Sequence, residues 1–149
     1  MIKAVKTRFL EPYKENKNGK FVSNLPFLES AKEQSGVYFI QSKRTGKVVY
    51  IGYSEKKLYR TIFRHFQKWV DIQREIKTRF TYSKTGYKIR VILTTPARAA
   101  LLEKYLIVKH NPRDNSIKYE NYLSASQQTS CENIIENTSN LSKYEDSPF

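Results

Sequence analysis

The regular part of the hydrophobic pattern begins with two short apolar runs, which a polar turn separates. They cover residues 36–41 and 47–51, and both are rich in the β-branched and aromatic residues that favour strands. The five residues between them, Ser42 to Gly46, have turn chemistry, and the last can take a positive φ. The pattern therefore predicts a β-hairpin that places Tyr38 and Tyr50 nearly opposite each other on one face.

A helical period follows this hairpin directly. Large apolar residues recur at helical spacing from residue 58 to residue 69, which predicts a helix from about Glu55 to Ile76 with Ser54 as its N-cap. The opposite side of this helix is basic and carries Lys57, Arg60, Arg64 and Lys68. The helix is therefore expected to have one face for the core and one basic stripe for an anionic ligand.

Further along, the pattern predicts a second hairpin and one strong helix. The arms of the hairpin are residues 79–82 and 87–94, and the second arm ends fully apolar, as a central strand does. Thr95 and Pro96 then form a favourable helix start, and an apolar helix is predicted over residues 97–110.

The charge of the chain is strongly basic and unevenly distributed. There are 27 Lys and Arg against 14 Asp and Glu, a net charge of +13. Residues 1–119 hold 26 basic and nine acidic groups, a net charge of +17, whereas the rest of the chain is acidic. Such an excess on a small domain favours nucleic-acid phosphate as the partner. A solvated surface and an anionic membrane surface are weaker alternatives.

Composition and spacing divide the chain into three parts. Residues 1–34 are predicted to form an N-terminal arm, in which residues 1–10 could also form a strand and residues 26–33 form a short helix. Residues 35–119 are predicted to form a core, and residues 120–149 a polar, mildly acidic, flexible tail. The one cysteine, Cys131, excludes an internal disulfide and a multi-cysteine metal site. No apolar run is long enough to span a membrane, and the N-terminus lacks a signal-peptide core. We therefore expect a cytoplasmic or nucleoid-associated protein.

Several residues carry candidate chemistry, although each has a plainer interpretation. Glu103, inside an apolar helix, is costly unless it is paired or binds a cation such as Mg²⁺, so a salt bridge or surface exposure is its alternative. Arg60 and Arg64, one helical turn apart, could grip one phosphate or simply be solvated. The two tyrosines of the predicted hairpin, each considered alone, would be packing residues. His65, at the border of the basic stripe, could be a base, a phosphate contact or neither.

Taken in order, these residues resemble the GIY-YIG nuclease family. Gly36-Val37-Tyr38 corresponds to the first motif in a common variant with Val, and Tyr50-Ile51-Gly52 corresponds to the second. The later matching positions, each at the expected place in the order, are Arg60, Glu103, Pro112 and Asn115. The resemblance covers roughly residues 35–115, which is most of the predicted core.

This resemblance implies a fold and an activity. The implied fold is an α/β domain of the α+β type, with a small three-stranded antiparallel sheet flanked by helices. The implied activity is that of a divalent-metal-dependent DNA endonuclease, which hydrolyses phosphodiester bonds with Mg²⁺ or Mn²⁺. A non-catalytic nucleic-acid-binding module on the same fold is the alternative. We expect no membrane partner. Specificity is expected to come from DNA structure, from an insertion such as residues 69–86, from dimerisation or from a protein partner.

Roles for individual residues also follow from the resemblance. Glu103 would bind the metal, and Arg60 would hold the scissile phosphate. Tyr50 would orient or deprotonate the attacking water, Tyr38 would support Tyr50, and Asn115 would brace the site.

The sequence departs from the family pattern at one position. Many relatives carry His or Tyr one turn after the arginine, where this chain has Arg64 and places His65 one residue later. The identity of the general base, Tyr50 or His65, therefore stays open.

Overall fold

The computed structural model describes residues 4–25, 33–66, 82–115 and 123–140. Within these ranges the chain forms an α+β arrangement. The strands are β1 (Val5–Lys6), β2 (Tyr13–Glu15), β3 (Phe21–Ser23), β4 (Gly36–Ser42), β5 (Val48–Ser54), β6 (Tyr87–Leu93) and β7 (Ser139–Asn140). The helices are α1 (Leu58–Phe63), α2 (Pro96–His110) and α3 (Ala125–Glu136), and a 3₁₀ turn over Arg64–Phe66 continues α1.

Five strands form one mixed sheet in the order β5-β4-β6-β1-β7, and β2 and β3 form a separate two-stranded sheet. Neighbours in the large sheet are antiparallel except β1 and β7, which are parallel. The expectation of a small three-stranded antiparallel sheet is therefore wrong. The three expected strands correspond to β4, β5 and β6, and the expected sheet lacks β1 and β7. These two strands have two residues each, too few to show the alternation by which a strand is recognised in sequence.

Alternating side chains along β4 divide the core into two layers. Tyr38 and Ile40 pack in the layer that contains α1, whereas Val37 and Phe39 pack in the layer that contains α2 and α3. Strand β6 lies in the middle of the sheet, as its apolar sequence predicts.

A β-bulge interrupts the pairing of β4 with β5 near their turn. Ile40 pairs with Tyr50 but Gln41 pairs with Val48, so Val49 has no partner on β4. Val49 and Tyr50 consequently both pack in the α1 layer, although they are consecutive residues.

Helix α2 begins and ends as its sequence predicts. The hydroxyl of Thr95, the N-cap, accepts a hydrogen bond from the N–H of Arg98, and Pro96 occupies the first turn. At the other end, Asn111 adopts the left-handed conformation with φ of 44° and terminates the helix.

Helix α1 is shorter at its start than predicted. Its N-cap is Lys57, and no side chain caps it, so the predicted cap at Ser54 is wrong. The Ser54 hydroxyl instead accepts a hydrogen bond from the N–H of Lys57 at 3.1 Å, within the turn that leads into the helix. Strand β5 continues to Ser54 and delays the helix by one turn.

The predicted polar tail contains an ordered helix within residues 123–140. Ser124 and Gln127 form a reciprocal capping box at the start of α3. Cys131, fully buried, packs in the α2 layer, and its thiol lies 3.8 Å from the backbone oxygen of Leu101. The segment is held by this packing against α2 and, beyond the helix, by the pairing of β7 with β1.

Several predictions fall outside the described residues. They are the helix over 26–32, the continuation of the basic helix through Lys68 and Trp69, and the first arm of the second hairpin up to residue 81. Among the helices that are described, none has the length and apolar character needed to cross a bilayer.

Candidate active site

Two tyrosines of the first hairpin form the centre of the candidate site. Tyr38 pairs across the strands with Gly52, and Tyr50 pairs with Ile40, so the tyrosines are diagonal neighbours rather than directly opposed. Their side chains share the α1 side of the sheet, and their ring centroids lie 6.0 Å apart. The two side chains therefore converge, with an offset of two residues from direct opposition.

Gly52 leaves the space that the Tyr38 ring fills. A Cβ atom on residue 52 would lie 2.4 Å from the phenol oxygen of Tyr38 and 2.5 Å from its Cζ atom. Both separations are far inside the contact distance of about 3.5–4.0 Å. The last glycine of the second motif is therefore required by the close approach of a buried aromatic ring.

His65 joins the two tyrosines. It lies in the 3₁₀ turn after α1, and its Nε2 atom is 2.8 Å from the hydroxyl oxygen of Tyr38. Its ring centroid is 4.7 Å from that of Tyr50 and 5.6 Å from that of Tyr38. Tyr38 is buried, whereas Tyr50 and His65 are half-buried, and the Nδ1 atom of His65 is itself buried.

The surroundings keep both phenols protonated near neutral pH. Burial raises the pKa of Tyr38 well above its ordinary value, and the neighbouring Tyr50 and the Glu103 carboxylate raise it further. Burial also raises the pKa of Tyr50; the Tyr38 hydroxyl opposes this shift, and Glu103 adds to it. Neither phenol has the lowered pKa that a general base would need, but both can donate and accept hydrogen bonds.

Glu103 lies on α2, half-buried, and its charge acts on both tyrosines of the hairpin. This carboxylate therefore lies within electrostatic range of the tyrosine pair, on a helix about fifty residues later in the chain. Within the four described ranges, no group of three or more His, Cys, Asp or Glu side chains could hold a metal ion. A single carboxylate fits Mg²⁺, which keeps several waters and takes further oxygens from phosphate.

Asn115 is turned toward the edge of the sheet. Its side-chain amide donates to the backbone oxygen of Ile51 at 2.8 Å, and its Oδ1 atom accepts from the N–H of Ile51 at 3.0 Å. The adjacent N–H of Asp114 donates to the oxygen of Val49 at 2.9 Å. Asn115 therefore fixes β5, the strand that carries Tyr50, by satisfying backbone groups that face away from β4.

Next to His65 lies a buried pair of residues, Tyr82 and Asp114, which the sequence pattern did not predict. The hydroxyl of Tyr82 donates to Oδ2 of Asp114 at 2.8 Å, and its backbone N–H donates to the oxygen of His65 at 2.7 Å. The Tyr82 ring centroid lies 6.0 Å from that of His65. The guanidinium of Arg113 also binds the Asp114 carboxylate. The sequence does show an aspartate next to Asn115. It does not show the tyrosine partner of this aspartate, because that residue lies 32 positions earlier in the chain.

The predicted basic stripe is retained where the structure describes it. Arg60 on α1 and Arg64 in the 3₁₀ turn are exposed, and Lys57 at the helix start is half-buried. Lys68, the fourth member, lies outside the described residues. Arg64 directly precedes His65 of the tyrosine–histidine cluster in the chain.

Comparison with known proteins gives one partial similarity and no family assignment. No family model matches the chain. The UvrABC system protein C of Hydrogenovibrio crunogenus is 33% identical over 89 residues. The matched region covers 60% of this chain but 14% of that protein.

Proposed function

We propose that this protein is a divalent-metal-dependent DNA endonuclease of the GIY-YIG type. The observation that carries the proposal is the 2.8 Å contact between His65 Nε2 and the Tyr38 hydroxyl, with Tyr50 alongside and the Glu103 charge within electrostatic range. The similarity to UvrABC system protein C supports the coarser part of the proposal, a nuclease role that acts on DNA. The basic net charge supports phosphate as the ligand.

The cluster separates the tasks of the proposed reaction among its residues. Glu103 would hold Mg²⁺ or Mn²⁺, which when bound neutralises charge on the phosphate and on the leaving oxygen. Arg60 would hold the scissile phosphate from the side of α1. Tyr50, half-buried and protonated, would orient the attacking water through its hydroxyl.

Proton transfer is assigned to His65 rather than to a tyrosine. Imidazole is the side chain whose ordinary pKa lies nearest neutrality, whereas burial raises the pKa of both phenols. The hydroxyl of Tyr38 is in contact with Nε2 of His65 and holds the imidazole in place. His65 would accept the proton of the attacking water at Nε2, since its Nδ1 atom is buried, and would so do the work that Arg64, one residue earlier, cannot.

The alternative function, a non-catalytic nucleic-acid-binding module, has one observation in its favour. Both phenols have raised pKa values, so neither is prepared to act as a base. If His65 also had no role in proton transfer, the site would bind phosphate without cutting.

A cleavage assay separates the two functions. Supercoiled, branched and single-stranded DNA are incubated with the protein and Mg²⁺ or Mn²⁺. We expect metal-dependent cutting, reduced by about 100-fold or more in Glu103→Gln. The matched control is Glu136→Gln, an exposed carboxylate near the end of α3, which should cut like the wild type. No cutting of any substrate with either metal would overturn the endonuclease proposal.

A further inference from the structure

The β2–β3 hairpin lies beside α1, on the same side of the main sheet as the candidate site. Tyr13 of β2 packs edge-on against Phe63 and Phe66, with ring centroids 5.2 and 5.9 Å apart. These two phenylalanines flank Arg64 and His65 in sequence. The hairpin is therefore anchored at the element that carries the site histidine and one of its cations.

The loop of this hairpin is internally hydrogen-bonded. Oδ1 of Asn16 accepts from the N–H groups of Asn18 and Lys20 at 2.9 and 3.0 Å. The N–H of Asn16 donates to the oxygen of Lys20 at 2.8 Å, and Gly19 takes a φ of 76° to close the turn. These bonds hold the loop in one shape before any ligand arrives, which reduces the entropy lost on binding.

Three exposed lysines project from this preformed loop and its first strand: Lys14, Lys17 and Lys20. Of the two carboxylates nearest in sequence, Glu11 is paired with Lys43 of the β4–β5 turn, and that contact lowers the Glu11 pKa. Glu15 is the other. Within the residues described, no ion pair involves any of the three lysines. Their charge is therefore available to an anionic partner.

We propose that the β2–β3 hairpin is a second DNA-contacting element, which grips backbone phosphates away from the scissile bond. The partner rests on the proposed function, since the site beside the hairpin is assigned to DNA. A rigid hairpin with three lysines and no exposed aromatic side chain in its loop suits phosphate contact rather than base stacking. The hairpin extends the basic surface of α1 and strengthens binding to any DNA sequence.

The contribution of the hairpin is to binding, because its lysines lie on a different element from the reacting groups. Interactions that are equal in the ground and transition states change KM or Kd. Each lysine that contacts a phosphate adds about 0.9 to the slope of log binding constant against log salt on duplex DNA. Three contacts therefore predict a reduction of the slope by about 2 to 3 when the lysines are removed.

The test measures binding of a fluorescent DNA duplex by anisotropy, without metal, between about 50 and 200 mM salt. All proteins carry Glu103→Gln so that cutting cannot intervene. The test variant combines Lys14→Gln, Lys17→Gln and Lys20→Gln. The control removes the same charge from exposed positions on the β4–β5 turn and α2, with Arg44→Gln, Lys47→Gln and Lys109→Gln.

We expect the hairpin variant to bind more weakly and with the smaller salt slope, whereas the control keeps nearly the wild-type slope. A third variant, which combines Lys14→Arg, Lys17→Arg and Lys20→Arg, should bind DNA like the wild type. This result would tie the loss in the hairpin variant to charge rather than to folding. Equal losses in the hairpin variant and the control would assign the effect to net charge and overturn the proposal.

The outcome is independent of cleavage. Hairpin-dependent binding by a protein that never cuts DNA would overturn the endonuclease proposal and leave the hairpin proposal standing. If the protein cuts DNA but binds it equally well without the hairpin lysines, the hairpin proposal is overturned and the endonuclease proposal stands.

Discussion

The Nε2 atom of His65 lies 2.8 Å from the hydroxyl oxygen of Tyr38, although the two residues come from different elements. Tyr38 is on the face of β4 that packs against α1, and His65 follows α1 in a 3₁₀ turn. This contact gives the histidine a defined orientation next to Tyr50. It also explains how His65 lies beside both tyrosines although it follows α1.

Replacing His65 should affect the chemical step. His65→Gln keeps a polar side chain of similar reach but cannot accept a proton, so we expect kcat to fall by about 100-fold or more. Tyr38→Phe, which removes the hydroxyl and keeps the ring, should cause a smaller loss. Single-turnover cleavage at saturating protein measures both rates. A His65→Gln variant that cuts at the wild-type rate would remove the histidine from the mechanism.

Adding one methyl group at Gly52 should disturb the core. In Gly52→Ala the new Cβ atom meets the Tyr38 ring at 2.4–2.9 Å, and we expect a loss of about 1–3 kcal/mol in the free energy of unfolding. Urea denaturation measures the loss. Combining Gly52→Ala with Tyr38→Ala should show a favourable coupling energy, because the smaller side chain relieves the clash. Strict additivity of the two changes would contradict this account.

Removing the Asn115 side chain should destabilise the edge of the sheet. Asn115→Ala leaves the buried N–H and oxygen of Ile51 without their partners, and each such group costs about 1–3 kcal/mol. We therefore expect a loss of about 2–6 kcal/mol in urea denaturation. The matched control is Asn137→Ala, whose amide bonds the oxygen of Asn133 on an exposed helix end. Similar losses of stability in the two variants would show that the Ile51 contacts stabilise the fold no more than an exposed hydrogen bond does.

Stability should fall at alkaline pH. Burial raises the pKa of Tyr82, and its hydrogen bond to Asp114 raises it further; the pKa values of Tyr38 and Tyr50 are raised as well. An unfolded tyrosine ionises near pH 10. Above that pH the unfolded state binds fewer protons than the folded state, so the free energy of unfolding decreases as pH rises. Below it, this contribution is fully present.

Denaturation midpoints between about pH 8 and 11 measure this dependence, because the range brackets the ordinary pKa of tyrosine. Tyr82→Phe removes one of the three groups and should lose stability less steeply with pH than the wild type. It should also be less stable at neutral pH, since Asp114 loses a buried donor. Parallel pH profiles for the two proteins would exclude Tyr82 as a contributor.

Local patterns were sufficient to predict the parts of this fold whose geometry is local. The start of α2 at Thr95 and Pro96 depends on two adjacent residues, and its end depends on Asn111. The first hairpin depends on two apolar runs and a turn glycine, Gly46, whose φ is 71°. The two strands and the helix were therefore predictable, whereas the pairing of β1 and β7 in the main sheet was not, because their partners are distant in sequence.

The exact assembly of the site was less predictable, because it depends on a bulge. Close to the turn, Gln41 pairs with Val48; the same register carried onward would set Tyr38 opposite Ile51 and turn Tyr50 to the other face. The extra residue, Val49, restores Tyr50 to the side of Tyr38. A bulge leaves no clear mark in an apolar run. The link from Tyr82 to Asp114 was equally hidden, since it joins two segments by a single side chain.

The placement of Asn115 also bears on how copies of this protein can meet. Strand β5 is an edge of the main sheet, and exposed edges invite pairing with a strand of another molecule. Here the oxygen of Val49 and both backbone groups of Ile51 are already occupied by Asp114 and Asn115. These contacts oppose the pairing of β5 with a strand of a second copy at this point of the edge. The same short segment that steadies the candidate site protects the protein from aggregating there.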